Sequence, residues 1–178
     1  GHTFSGWQGL PTTMPPRDVT VNGSFSLNSY TLAYSVDGAP YKTLSIDYGA
    51  DIIPEPDPVR EGHSFSGWQG LPATMPARDV TVNGSFAVDS YTLTYILDGK
   101  PYMTLSMEYG ATIIPETDPV REGHSFSGWQ GLPATMPARD VTVNGSFTVD
   151  SYTLTYILDG APYKTLSVEY GAEIIPEA

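Results

Sequence analysis

Apolar and polar positions alternate with a period of two along most of this chain, the pattern of half-buried β-strands. Between residues 91 and 97, Tyr91, Leu93, Tyr95 and Leu97 fall on one face and Thr92, Thr94 and Ile96 on the other. Asp98-Gly99 and then Lys100-Pro101 follow, which is hairpin chemistry. The return strand carries Met103, Leu105, Met107 and Tyr109 on one face, with Tyr102, Thr104, Ser106 and Glu108 opposite. Gly110 ends it. Residues 111–115 are too few for more than one helical turn, and Pro115 and Pro119 stiffen the acidic stretch beyond. A third strand is expected from His124 to Trp129. It needs a bulge at Gly128, because Phe126 and Trp129 would otherwise point to opposite faces. Val141, Val143, Phe147 and Val149 mark a fourth strand, with Thr142, Asn144, Ser146 and Thr148 opposite. Asn144-Gly145 is also a turn signal, but the arms of such a hairpin would be very short. One strand is preferred, with a glycine where another side chain packs closely.

The pattern recurs every 61 residues: residues 123–178 repeat 62–117 with six changes, and 1–56 form a more diverged copy. Self-similarity at a fixed period sets the architecture. It argues for an array that offers one surface several times, and against an enzyme, which needs a single constellation of unlike groups. The predicted division is a C-terminal half-repeat at 1–28, complete modules at 29–89 and 90–150, and an N-terminal half-repeat at 151–178. Each module reads as strand, hairpin, strand, short turn, strand, loop, strand. Asp150-Ser151 alone separates one unit's last strand from the next unit's first, which favours a rod of modules, each ~25–30 Å across. The chain starts inside a repeat and is expected to be a fragment, so a missing export signal carries no information. Each terminal half would leave an open edge and a bare apolar face. The halves complement one another, so head-to-tail self-association through 1–28 and 151–178 is expected.

Three strings in this repeat carry a family resemblance. They are Tyr-Thr-Leu-Thr-Tyr followed by Asp-Gly, then Glu-Tyr-Gly-Ala, and then Glu-Gly-His-Ser-Phe-Ser-Gly-Trp. A fourth closes the set, Met-Pro-Ala-Arg-Asp-Val-Thr-Val-Asn-Gly-Ser-Phe. In order, with Gly62, Phe65, Gly67, Trp68, Met75, Pro76, Asp79, Val80 and Val82 as the core signature, they resemble the Listeria–Bacteroides repeat family. The resemblance covers the whole chain. It implies a mainly β, β-grasp-like module found in tandem on bacterial surface proteins, with no catalysis and no transferable ligand site. His63 departs from the family, where Tyr is common at that position.

Composition narrows the function further. Twelve Tyr, six Phe and three Trp supply a rich core for small units, and no cysteine is present to staple them. Sixteen Pro and eighteen Gly disfavour long helices. A net charge of −12 disfavours nucleic acid and anionic membranes as partners, and no apolar run is long enough to span a bilayer. The expected setting is extracellular, at a bacterial cell surface, where the array acts as a stalk and adhesion module. The alternative is a carbohydrate- or host-protein-binding module that uses a Trp/Tyr surface.

Candidate chemistry is sparse. His2, His63 and His124 recur once per copy without metal-ligand spacing, and a rim residue bonded to backbone is the favoured reading. Ser64 and Ser66 lack any nucleophile motif. The acids Glu55, Asp57 and Glu61, and again Glu116, Asp118 and Glu122, are too few and too interrupted by proline to close a calcium site. No cofactor is expected. The strings Leu71-Pro-Ala-Thr-Met75 and Leu132-Pro-Ala-Thr-Met136 look like sorting signals but lack the required Gly and an apolar tail. A lysine crosslink in every unit is excluded, since Lys42 and Lys164 align with Met103, and Lys100 with Ala39 and Ala161. Trp68, Tyr102 and His63 are the candidate ligand contacts for an unidentified protein or glycan, with core closure the favoured role for the tryptophan.

Overall fold

The computed structural model describes residues 1–176; Glu177 and Ala178, the end of the expected half-repeat 151–178, lie outside the described residues. The described residues form strands and no helix. The mainly-β expectation holds. The chain divides into two compact units, Gly1–Ala87 and Val88–Ala178.

In the first unit, β1 (His2–Phe4) and β2 (Phe25–Leu27) form an antiparallel ribbon. β3 (Ser29–Val36) and β4 (Ala39–Asp47) form a hairpin. β5 (His63–Phe65) pairs with β7 (Phe86–Val88), while β6 (Val80–Gly84) lies parallel to β3. The sheet order is β4-β3-β6. Because β3 is central, its alternate residues Leu32 and Tyr34 face inward. They are buried with Ile52, Met75 and Val82, and Tyr30, Leu44, Ile46, Trp68, Leu71 and Val80 pack around them.

The second unit repeats this plan. β8 (Ser90–Leu97) is central, with β9 (Lys100–Glu108) antiparallel on one side and β11 (Val141–Gly145) parallel on the other. β10 (His124–Phe126) pairs with β12 (Phe147–Val149). Leu93, Tyr95, Ile113, Met136, Val141 and Val143 are buried together. A further hairpin, β13 (Ser151–Leu158) with β14 (Ala161–Glu169), forms a two-stranded sheet.

The Asp98-Gly99 turn forms with φ of 51° and 75°. Both values are positive, as the hairpin turn that matches strand twist requires. Other expectations need correction. The third strand ends at Phe126, three residues long, where His124–Trp129 was expected. Gly128 takes φ 77°. Between the pairs Phe126↔Phe147 and Gln130↔Asn144 the first strand holds one residue more than the second, so the expected bulge is present and it interrupts the ladder. The fourth strand runs on as one extended segment that changes sheets at Ser146: β11 joins the three-stranded sheet and β12 joins β10. Gly145 sits at that change, and a Cβ there would lie 2.6 Å from Phe126 Cε2 and 2.9 Å from Trp129 Cε3. Residues 111–115 form no helical turn; Thr112 bridges Thr135 and Ile113 enters the core. Finally, the β8–β9 register shifts between Tyr95↔Met103 and Ile96↔Pro101, leaving Tyr102 as the extra residue. That shift breaks the simple alternation that placed Tyr102 away from the core.

Candidate functional site

Each complete core is closed by four aromatic rings. In the first unit, Trp68 meets Tyr34 and Phe65 edge-on, at centroid distances of 4.8 and 5.0 Å, and Tyr41 lies tilted against it at 5.5 Å. The Trp68 indole N–H donates to the Glu55 carbonyl oxygen at 2.8 Å. Lys42 Nζ donates to both carboxylate oxygens of Glu55 at 2.8 Å, which holds that segment over the indole. In the second unit, Trp129 meets Tyr95, Phe126 and Tyr102 at 4.9, 5.0 and 5.5 Å. Met103 replaces Lys42 there, and the buried Trp129 indole N–H has no hydrogen-bond partner among the described residues. Trp68 is half-buried and its N–H is used, as a core-closing residue requires. Tyr41 and Tyr102 remain 48% and 44% exposed. Trp68 and Tyr102 belong to different units. The pairs made within a unit are Tyr41 with Trp68 and Tyr102 with Trp129.

His63 lies beside a clamp that sequence reasoning missed. Asp37, in the β3–β4 turn, accepts the Phe86 N–H at 2.9 Å and an Arg60 Nη1–H at 2.9 Å. The Arg60 guanidinium stacks over the Phe86 ring, 4.1 Å from its centroid. Asp98, Arg121 and Phe147 repeat the arrangement, with the ion pair at 2.8 Å and the guanidinium 4.2 Å from the ring. The Phe86 N–H foremost, then Arg60 and the nearby His63, hold the Asp37 carboxyl below its ordinary value; Phe147, Arg121 and His124 do the same for Asp98. The signal available in the sequence was one Arg at the same place in two copies, inside an otherwise acidic stretch. His63 itself donates Nδ1–H to the Glu61 carbonyl at 2.8 Å and meets Phe86 edge-on.

The joint between repeats is made by backbone. Asn28 N–H donates to Gly1 O at 2.9 Å, and Asn28 O accepts Tyr48 N–H at 2.9 Å. Asp150 does the same between Gly123 and Tyr170, both at 2.8 Å. The Tyr48 and Tyr170 rings cover Gly1 and Gly123 so closely that a Cβ would overlap them. The adjacent His2 and His124 meet those tyrosines edge-on at 6.0 and 6.2 Å. A linker residue with both backbone groups paired has little freedom to hinge.

The profile of the Listeria-Bacteroides repeat domain matches residues 30–82 and 91–148. The chain belongs to the Listeria-Bacteroides repeat family. Internalin H of Listeria monocytogenes is 30% identical over 83% of the chain, and a protein named "Putative membrane protein" from Evansella cellulosilytica is 24% identical over 92%. The chain spans less than a third of the length of either relative, 30% and 29% respectively. In this Listeria-Bacteroides repeat, the matched segments contain the two buried cores. Among the described residues no three His, Asp or Glu side chains gather as a cation would need, and no helix is long and apolar enough to cross a membrane.

Proposed function

We propose that this chain is a non-catalytic stretch of a bacterial cell-surface protein, in which modules 29–89 and 90–150, flanked by half-repeats 1–28 and 151–178, act as a load-bearing spacer that presents adhesive surfaces. The observation that supports it is the parallel pairing of each module's first strand with its last. Leu93–Leu97 lie beside 141–145 in parallel, as do Leu32–Val36 beside 80–84. Pulling a module by its two ends therefore draws those strands along each other, so that all the evenly spaced bonds of the pair are loaded together. The single-residue joints at Asn28 and Asp150 pass that load on without slack. The names internalin and membrane protein among the relatives accord with a surface setting. Single-molecule stretching tests it. Two discrete unfolding events are expected, each releasing about 20 nm for 61 residues at ~3.3–3.6 Å per residue. Smooth extension without such events would refute the spacer role.

A second reading is favoured by the half-exposed Tyr41 and Tyr102 rings lying on tryptophans, an aromatic surface able to stack on a sugar or on a host-protein side chain. Screening the chain and its Tyr41→Ala/Tyr102→Ala variant on a glycan array tests this reading. Binding lost in the variant is expected, and equal signals from both chains would end it.

A further inference from the structure

Each three-stranded sheet ends on one side in the second strand of a hairpin. β4 pairs with β3, and β9 with β8, and neither has a second neighbour among the described residues. The hydrogen bonds show which groups the free side presents. In an antiparallel pair, residues that exchange no bond turn their N–H and carbonyl outward, and such pairs alternate with bonded ones. Thr31 donates its N–H across β3 to Asp79, and Thr92 donates across β8 to Asp140, both at 2.8 Å. Thr31 lies opposite Ser45, and Thr92 opposite Ser106. These pairs therefore exchange no bond, and Ser45 and Ser106 present their N–H and carbonyl to the open side. Alternation adds Thr43 and Thr104. All four residues are exposed. Both modules have their full set of strands, so these edges do not depend on where the sequence begins or ends.

An open strand edge is ordinarily guarded by a charge along it, a proline or a covering loop. β9 carries no charge from Pro101 to Met107, and its proline sits beside the turn. On β4, Lys42 is turned onto Glu55, which leaves residues 43–46 uncharged. The chain after β4 does not cover the edge. A groove of about 690 Å³ separates β4 from residues 50–56. Four consecutive β4 residues, 44–47, line it, so it follows the edge of the strand and not one face. Leu44, Ile46 and Ile53 give it apolar walls, and Asp47, Asp51 and Glu55 give it negative charge. Ile53 is 84% exposed, and its counterpart Ile114 is 85% exposed. No Lys or Arg occurs between residues 44 and 57, where Asp47, Asp51, Glu55 and Asp57 stand. None occurs between 105 and 118 either, beside Glu108, Glu116 and Asp118.

We propose that the free edges of β4 and β9 take an extended basic peptide as a fourth strand. Its backbone bonds Thr43 and Ser45 in the first module, or Thr104 and Ser106 in the second. Backbone bonds of this kind give affinity, and the side chains on either side of them give specificity. Aliphatic residues of the peptide cover Leu44, Ile46 and Ile53, while its Lys or Arg side chains reach the carboxylates of Asp47 and Asp51. Charge decides the occupant. A second copy would bring the same acids to the edge, on a chain of net charge −12, and would be repelled. The first module holds the peptide more tightly, because Asp51 stands where the second has Thr112. The edge belongs to each module and stands whether or not the array bears load.

The probe is a peptide of alternating lysine and valine, nine residues long to match β4. Titrated into the whole labelled chain, it should shift the amide signals of Thr43, Ser45, Thr104 and Ser106, and its binding should weaken as salt rises. The same peptide N-methylated at every residue keeps its charges and loses its donors. It should bind about tenfold more weakly, as the loss of two backbone bonds implies. A glutamate–valine peptide should leave the signals unmoved. On the side of the chain, the Ser45→Pro/Ser106→Pro variant removes two outward N–H groups that bond nothing in the sheet, a change edge strands accept. It should keep the strand content of the parent and lose the peptide. The N-methylated peptide reads the same claim on the unaltered chain. Absence of shifts along these edges overturns the proposal. Equal binding of the N-methylated peptide does so too, since charge alone would then suffice, as does equal binding of the glutamate–valine peptide. Edge shifts that grow with the concentration of the chain, with no peptide added, would give the edge to a second copy and overturn it as well.

Discussion

At Gly145 two rings occupy the space a side chain would need. Its Cβ would meet Phe126 and Trp129 inside 3 Å, and the two rings pack edge-on against each other, with Trp129 also against Tyr95. Its φ is not positive, so the demand for glycine is steric and not conformational. Gly145→Ala should therefore cost about 1–3 kcal/mol by overpacking, read as a lower urea midpoint; an unchanged midpoint would mean that the rings shift freely. The close approach was legible from an Asn-Gly embedded in an alternating run too short for a hairpin. The identity of the rings was not, because Phe126 and Trp129 lie on the far side of a proline-pinned loop. Tyr102 shows the opposite case. Strict alternation turned it from the core, and a one-residue register shift that period-two reasoning does not contain laid it on Trp129.

At the level of elements, the hairpin turns follow from local chemistry, since Asp and Gly both tolerate the positive φ that strand twist imposes. The same aspartates have a second task that no local rule announces: each ties its turn to the last strand and to an arginine from the acidic stretch. The Asp98 carboxyl is held below its ordinary value of 3.8, first by the Phe147 N–H and then by Arg121. A depressed folded value means that the contribution is fully present above the unfolded value and is lost as pH falls through the folded one. Asp98→Asn keeps an oxygen for the Phe147 N–H and tolerates the turn, but loses the charge. It should be less stable than the parent near pH ~7, and the gap should narrow as pH falls through the folded value of Asp98. Urea midpoints across that range measure it; a gap independent of pH would rule out the ionic part of the clamp.

At the scale of the whole molecule, the sequence carried the array in its 61-residue period, the strands in its alternation and the family resemblance in its ordered motifs. It could do so because side-chain alternation and turn residues are local properties, and because repetition shows the same local message several times. Partnership between distant strands was decided only by tertiary structure. Val-Thr-Val-Asn-Gly is a strand where a hairpin lies beside it and is none at 19–23, with identical sequence in each place. The reason is physical: a β-strand has no hydrogen bonds of its own to satisfy its backbone, so its existence depends on a neighbour that the sequence of the segment does not name.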